Sequence, residues 1–261
     1  MKKILILIFC SICFFIAVAQ SDKVIVNDKN AQLRTVNGPF SAITVSGAID
    51  LYLSQSDEEV VVVSGAEARY RDRISTEVVN GELKIFYNEK GFQWSGGSKN
   101  LKAYISFTKI QKLSASGASD IYVNGVLKAD ALKINISGSS DFKGAMDVND
   151  LILEQSGSSD SRISGRAKNI KIEVTGASDV KGYDLVVDNC EANASGASDI
   201  QITVNGTLTA AATGASDISY RGEGAARTIK SSGASSVTKR TEKVCRSGTH
   251  SIAAATGKPF Q

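Results

Sequence analysis

Ser137-Gly138-Ser139-Ser140-Asp141 belongs to a series of pentapeptides that recur at a nearly fixed interval along the chain. The series runs Ser116 to Asp120, Ser137 to Asp141, Ser156 to Asp160, Thr175 to Asp179, Ser195 to Asp199 and Thr213 to Asp217, with a weaker copy at Ser232 to Ser236. Its glycines stand at positions 117, 138, 157, 176, 196, 214 and 233, so the steps between them are nearly equal. A period of about 19 residues is too short for a helical hairpin and is typical of one coil of a solenoid.

Apolar residues recur at fixed distances from each glycine. Four positions before it stand Leu113, Ile134, Leu153, Ile172, Ala192, Ala210 and Ile229. Two positions before it stand Ala115, Ile136, Gln155, Val174, Ala194, Ala212 and Ser231. Four positions after it stand Ile121, Phe142, Ser161, Val180, Ile200, Ile218 and Val237. Apolar residues two apart, with polar residues between them, predict strands with one buried face.

A second group of Gly and Asn residues marks another corner in each coil, since both residue types adopt positive φ. The group comprises Asn124-Gly125, Gly144, Gly165, Gly182, Asn205-Gly206 and Gly222. Each coil therefore consists of strand, corner, strand and corner, and like positions stack about 4.8 Å apart. Connections between parallel strands are almost always right-handed. We predict an all-β fold, a right-handed parallel β-helix (solenoid) with coils of about 19 residues and serine ladders that hydrogen-bond between coils.

The N-terminal part is less regular. Phe40 to Leu53 matches the later coils, and Val60 to Val63 is predicted to begin the next coil. Glu67 to Arg73 is expected to form one helical turn. Asn80-Gly81 predicts a tight hairpin, because this dipeptide favours the type I′ turn. The solenoid thus carries an irregular N-terminal hairpin segment.

The two ends are predicted to lie outside the regular coils. Lys2-Lys3 and a following apolar run predict a signal peptide over residues 1–19, cleaved between Ala19 and Gln20. An uncleaved membrane anchor and a lipoprotein at Cys13 are the alternatives. Residues 20–34 then form an N-terminal extension, residues 35–244 the β-helix domain, and residues 245–261 a partial coil or cap.

Charge and cysteine content narrow the function classes. Without Lys2 and Lys3 the 30 basic residues fall to 28, against 27 acidic ones, and a net charge of +1 provides no field that would attract nucleic acid. No other segment is long and apolar enough to cross a membrane. Cys190 and Cys245 are separated by two to three coils, roughly 10–15 Å at the strand spacing, which is too far for a disulfide. Cys190 is therefore interpreted as a small buried hydrophobic residue.

The order of the motifs resembles one bacterial family. The chain has a Phe-x-x-Ile-x-Val-Ser-Gly opening at Phe40 to Gly47, then Asp50 to Leu53, a Val-x-Asn-Gly-x-Leu-x-Ile segment at Val78 to Ile85, and serial Ser-Gly-x-x-Asp coils. This resembles the family described as putative auto-transporter adhesin, head GIN domain, over roughly residues 35–240. The resemblance implies an exported β-helical protein and carries no catalytic or binding residues. We expect no C-terminal membrane barrel of an autotransporter to follow the coils.

One aspartate per coil should form a ladder near the first corner. Its members are Asp120, Asp141, Asp160, Asp179, Asp199 and Asp217. One carboxylate per coil is few for Ca²⁺, which takes six to eight oxygens. The residues are therefore interpreted as corner caps that accept backbone N–H groups, with a weak cation site as the alternative. We predict that no metal or other cofactor is bound.

Tyr87, Phe92 and Trp94 are candidate ligand-binding residues around a polar loop, because exposed aromatic rings suit a sugar or a partner protein. Alternatively, Trp94 covers the hydrophobic core. Catalysis is poorly supported, since the single histidine, His250, lies in the tail and the serines are repeated equivalently. A carboxylate and Lys/Arg site like that of β-helical polysaccharide lyases is the enzyme alternative, and fold alone is no evidence for it.

We expect an exported, monomeric, non-catalytic module in the periplasm, at the outer-membrane surface or outside the cell. Its predicted partner is a glycan polymer or a protein of the cell envelope, bound over a ladder-like face. The alternative is a structural β-helix protein that self-assembles end to end, as open coil edges allow.

Overall fold

The computed structural model describes residues 28–90 and 98–241. These residues form one helix and sixteen strands. In chain order the elements are β1 Gln32–Arg34, β2 Ala42–Ser46, β3 Ile49–Gln55, β4 Val60–Ser64, α1 Ala68–Arg71, β5 Ile74–Val79, β6 Glu82–Tyr87, β7 Leu101–Phe107, β8 Lys112–Ser116, β9 Ile121–Ile136, β10 Phe142–Gln155, β11 Asp160–Val174, β12 Asp179–Gly196, β13 Asp199–Gly214, β14 Asp217–Arg221, β15 Ala225–Gly233 and β16 Ser236–Lys239. The predicted signal peptide with its Ala19–Gln20 cleavage site, and the predicted cap at residues 245–261, lie outside the described residues.

The regular coils stack as the sequence predicts. Strands β9 to β13 pair in parallel and in order, and β14 and β16 continue one side of the ladder while β15 continues the other. The apolar position four residues after each glycine pairs with the same position in the next coil, as in Phe142 with Ser161 and Val180 with Ile200. The molecule is a parallel β-solenoid of about seven turns of about 19 residues, which confirms the predicted fold class.

The second corner differs from the prediction. Strands β9 to β13 run through it without a break, so it is a bend within a continuous ladder rather than a gap between two strands. The pairing shifts register near this bend, between Lys143 and Ala145, between Arg162 and Ser164, and between Gly182 and Val186. Because such bulges absorb extra residues, the unequal steps between glycines are accommodated there while the pentapeptides stay in register.

The core is a narrow column between the walls of each coil. The predicted inward positions are buried, including Leu132, Ile134 and Ile136 on β9 at 2%, 0% and 1% exposure. The fourth residue of each pentapeptide also points inward. These serines are fully buried and comprise Ser119, Ser140, Ser159, Ser178, Ser198 and Ser216.

The buried serines are bonded to neighbouring coils through the backbone. Ser178 Oγ accepts the N–H of Ser159 at 3.2 Å and donates to the carbonyl of Gly157 at 3.2 Å. Ser198 Oγ likewise donates to Gly176 O at 3.3 Å. The predicted serine ladder therefore exists, and its hydroxyls satisfy backbone groups that the corner would otherwise bury unpaired.

The pentapeptide glycines bring successive coils into backbone contact. Their φ angles lie between 80° and 89°, and a Cβ on Gly157 would lie 2.4 Å from the carbonyl oxygen of Gly138. The same carbonyl of Gly138 accepts the N–H of Ser158 at 2.8 Å. The position therefore needs glycine for two reasons, the left-handed backbone and the absence of space.

One coil places polar side chains in the core. Gln155 and Ser161, both polar in otherwise apolar columns, are 2% and 0% exposed. Ser161 Oγ donates to Gln155 Oε1 at 2.6 Å, and Gln155 Nε2 donates to the carbonyls of Ser159 and of Asp179, the latter at 3.1 Å. These two buried polar residues therefore satisfy each other within the same coil.

The prediction that Val60 to Val63 begins the second coil is wrong. Strand β4 lies antiparallel to β1 and β7. The coil of β2 and β3 stacks instead on β8 and β9, with Val45 paired to Ala115 and Leu51 paired to Ile121. The described residues between β3 and β8, 56–90 and 98–109, thus belong to an insertion that folds back over the N-terminal end of the solenoid. The valine run was misassigned because antiparallel and parallel strands share the same two-residue alternation.

The predicted hairpin and helical turn are confirmed. Strands β5 and β6 pair antiparallel with Val79 opposite Glu82, and Asn80 and Gly81 between them have φ angles of 54° and 74°. Helix α1 contributes the buried ring of Tyr70. Strands β6 and β7 of the insertion stack in parallel on β2 and β3, and the antiparallel strands β5, β4 and β1 lie beyond them at the N-terminal edge.

The last described coil is exposed. Every residue of β15 is exposed, and Ile229 is 47% exposed although it pairs in register with the buried Ala210. Two coils earlier, on β12, Cys190 is 4% exposed and free of a disulfide, as predicted. Burial raises the pKa of the Cys190 thiol to about 12.

Replacing Gly157 with Ala should destabilise the fold strongly, because the Cβ would collide with the Gly138 carbonyl and the backbone would be strained. We expect a loss of about 2–5 kcal/mol in the free energy of unfolding. Gly81→Ala is the matched control, since Gly81 has a similar φ but open space around it, and should cost only about 1–2 kcal/mol. Urea unfolding of both variants measures the difference, and equal losses would contradict the close approach of the coils.

Ser161→Ala should cost about 1–3 kcal/mol, because it leaves the buried Gln155 Oε1 without its donor. Combining it with Gln155→Leu should recover part of this loss, since both polar partners are then gone. A double-mutant cycle by urea unfolding gives the coupling energy. Additive losses would show that the two side chains do not depend on each other.

Candidate functional site

The aspartate ladder lies at the first corner, where the pentapeptide leads into the next strand. Asp141 N–H donates to Asp120 Oδ1 at 3.0 Å, and Asp160 N–H donates to Asp141 Oδ1 at 3.0 Å. At these two positions the carboxylate accepts a backbone N–H, as the sequence analysis expected of a corner cap. The N–H group belongs to the following coil. The ladder therefore joins coils as well as capping a corner.

A second outward column runs beside the aspartates, two residues further along each strand. Through the strand pairing its order along the solenoid is Tyr104, Tyr52, Tyr122, Lys143, Arg162, Lys181, Gln201, Ser219 and Thr238. We call its first six members the aromatic–basic column. It changes from aromatic to basic between β9 and β10, the first two of the continuous coils.

The three tyrosines of this column form a stack. The ring centroid of Tyr52 lies 5.0 Å from that of Tyr104 and 5.2 Å from that of Tyr122, with interplanar angles of 20° and 18°. Offset or near-parallel aromatic pairs at this distance contribute about 0.5–1.5 kcal/mol beyond their burial. The stack links the insertion strand β7 to β3 and β9.

The charges around the stack are coupled. Burial, followed by the negative charge on Asp120, raises the pKa of the Asp50 carboxyl. Burial and then the Asp120 charge raise the pKa of the Tyr122 phenol to about 12, and its hydroxyl donates to Asp120 Oδ2 at 3.1 Å. Burial raises the pKa of Tyr52 and Tyr104 as well. The tyrosine end of the column is therefore uncharged at neutral pH and can act as a hydrogen-bond donor and an apolar surface.

A cleft of about 200 Å³ opens where the tyrosine stack meets the basic residues. Its lining includes Tyr122, Asp141, Lys143, Asp160, Arg162 and Lys181. Lys181 Nζ lies 2.9 Å from Asp160 Oδ2 and 3.8 Å from Asp179 Oδ2. The hydrogen bond to Asp160 is the largest cause that raises the pKa of Lys181.

The sequence-predicted aromatic site is only partly described. Tyr87 is 7% exposed, and Lys99 Nζ lies 4.3 Å from its ring centroid. Tyr87 therefore packs in the core beneath Gly47 rather than presenting an exposed ring. Phe92 and Trp94 lie outside the described residues, so the aromatic platform stays a prediction for these two.

The described residues contain no group of three or more His, Cys, Asp or Glu side chains placed to hold a metal ion. Among the same residues, no helix is long and apolar enough to span a membrane. His250 falls in the undescribed tail. The chemistry of the described surface is thus that of repeated carboxylates, cations, hydroxyls and aromatic rings.

Sequence reasoning missed the aromatic–basic column, although the signal was present. Tyr52, Tyr122, Lys143, Arg162 and Lys181 each stand five residues after a corner glycine. This position neighbours the inward column four residues after the glycine and therefore faces outward. Tyr104 was harder to find, because it lies in the insertion and joins the column only through the pairing of β3 with β7.

The Tyr122 phenol should remain protonated at pH values where an exposed tyrosine ionises. Since its folded pKa is raised to about 12 and the unfolded value is about 10, its contribution to stability is complete below about pH 10 and is lost as the pH rises toward 12. Asp120→Asn should lower this pKa by removing the neighbouring charge, whereas Asp199→Asn, four rungs away, should not. NMR titration of labelled tyrosine rings measures both, and an unchanged Tyr122 pKa in Asp120→Asn would contradict the coupling.

Comparison with known proteins supports the fold. A solved putative adhesin from Bacteroides fragilis is 20% identical, with a TM-score of 0.73, and the match covers 82% of this chain and 98% of that one. A putative lipid binding protein from Parabacteroides distasonis is 20% identical, with a TM-score of 0.63 and coverage of 82% and 98%. A putative adhesin from Parabacteroides merdae is 19% identical, with a TM-score of 0.59 and coverage of 82% and 97%. At this identity the likeness concerns the fold alone.

The family comparison covers most of the solenoid. No curated protein matches the chain. Residues 39–224 match the family described as "putative auto-transporter adhesin, head GIN domain". This range takes in the first coil, the insertion and the coils up to the start of the last one. The chain therefore belongs to the head GIN domain family of putative auto-transporter adhesins.

Proposed function

We propose that this protein is an exported, non-catalytic binding module of the cell envelope that engages an extended glycan or protein partner along the aromatic–basic column. The proposal rests on the register of the solenoid, which places one outward side chain of this column on each of six successive rungs. Export is supported by the N-terminal sequence, and adhesion by the family description. Location in the periplasm, at the surface or outside the cell belongs to the same proposal.

The geometry favours many weak contacts over one deep pocket. The side chains of the column are half-buried or exposed, and the cleft beside Tyr122 is small, with a volume of about 200 Å³. Five steps of about 4.8 Å separate the six members of the column, so the column spans roughly 24 Å. Equivalent contacts repeated over this length suit a long partner, whose affinity then grows with the number of coils that it covers.

The proposal is tested by binding of the purified mature protein to isolated envelope fractions and envelope polysaccharides. Lys143→Gln, Arg162→Gln and Lys181→Gln should each weaken binding by about two- to fivefold, as expected for exposed charges. The triple variant should weaken it by about ten- to a hundredfold. Lys112→Gln, Lys133→Gln and Lys171→Gln, combined on the opposite wall, form the matched control and should leave binding unchanged.

Two results would contradict this assignment. One is equal loss of binding in the two triple variants, which would show that the column has no special role. The other is chemical turnover of a polysaccharide by the purified protein, which would make it an enzyme.

End-to-end self-assembly is the second candidate function. It is favoured by β15, whose residues are all exposed and which pairs with no strand beyond β13 among the described residues. Exposed strand edges pair readily with other chains. Light scattering over a range of protein concentrations separates the candidates, because filaments grow with concentration while a binding module stays monomeric.

A further inference from the structure

The cleft beside Tyr122 presents an aromatic face to solvent. Tyr52 lies between Tyr104 and Tyr122, so both faces of its ring are covered. Tyr122 ends the stack, and its partner on the next rung is Lys143 rather than another ring. Because Tyr122 and Lys143 both line the cleft, the second face of the Tyr122 ring borders the cleft. An aromatic face of this kind suits the apolar face of a sugar ring.

The cations of the cleft are not equivalent. Lys181 is paired with Asp160. Lys143 and Arg162 are exposed, and no carboxylate of the described residues lies within salt-bridge distance of either. They occupy successive rungs, about 4.8 Å apart. Two unneutralised donors at that spacing can hold one carboxylate, and the guanidinium of Arg162 can do so through two hydrogen bonds.

The acceptor in the cleft is Asp141. Its Oδ1 accepts the N–H of Asp160 at 3.0 Å, which fixes the carboxylate against the corner. Its second oxygen remains an acceptor for a hydroxyl group. The cleft therefore combines an apolar ring face, two cations and a fixed carboxylate, all within about 200 Å³.

We propose that this cleft binds an acidic sugar, a pyranose ring carrying a carboxylate within an anionic polysaccharide. The ring stacks on Tyr122, the carboxylate accepts hydrogen bonds from Lys143 and Arg162, and a ring hydroxyl donates to Asp141. This inference rests on the proposed binding function and narrows it to one class of ligand. A neutral polysaccharide would leave the two cations without a partner.

The test compares polygalacturonate with its fully methyl-esterified form, because the two share a backbone and differ in the acid group. Hyaluronate and polysialic acid extend the comparison to other acidic sugars. Isothermal titration with the mature protein should show that at least one of the three acidic polymers binds about tenfold or more tightly than esterified polygalacturonate. Binding of the ester as tightly as every acidic polymer, or no binding of any acidic polymer, would overturn the inference.

Three variants assign the binding to this cleft. Arg162→Gln should weaken binding of the preferred acidic polymer by about fivefold, while Tyr122→Ala should weaken it through loss of stacking. Lys168→Gln, an exposed lysine on the same coil outside the cleft, should change nothing. Equal effects of Arg162→Gln and Lys168→Gln would overturn the inference. If variants of the column weaken envelope binding but acidic and esterified polymers bind equally well, the inference of an acidic sugar is overturned. The proposed binding function would still stand.

Discussion

The structure depends on the contact between successive coils at the pentapeptide glycines. There the backbone of one coil approaches the carbonyl of the previous one so closely that a Cβ would lie 2.4 to 2.8 Å from that oxygen at Gly138, Gly157, Gly176, Gly196, Gly214 and Gly233. The residue after each of these glycines donates its N–H to the same carbonyl at 2.8 Å. A larger residue would push the coils apart, and the strands on both sides would lose their register with it.

This fixed corner determines where variation is tolerated. Unequal steps between glycines are possible because the second corner is a bend that takes bulges, whereas the first corner repeats unchanged. The buried serines, which hydrogen-bond to the glycine carbonyls, hold the same corner from inside. Outward positions carry no such constraint, so one column can change from tyrosine to lysine and arginine while its geometry stays the same. The proposed binding face is a direct consequence of that freedom.

The sequence predicted the parts of the fold that repeat and missed those that do not. The columns around Ile134 and Ile172 identified the parallel coils, because their spacing has no other simple explanation. The valines of β4 were misplaced, since alternation does not distinguish antiparallel from parallel pairing. Tyr104 could not be linked to Tyr52, because the contact is set by an insertion that returns to the first coil. Gln155 and Ser161 are polar residues at positions that are apolar in most other coils. Because both belong to the same coil, the sequence was sufficient to predict the hydrogen bond between them.

The central claim is that a partner binds along one column that the glycine corners keep in register. Hydroxyl-radical footprinting of the purified protein, with and without bound envelope polysaccharide, measures this directly. The account predicts joint protection of Tyr104, Tyr52 and Tyr122 together with Lys143 and Arg162, and no change at Lys133 or Lys171 on the opposite wall. Protection confined to a single coil, or located on the opposite wall or at the C-terminal edge, would contradict it.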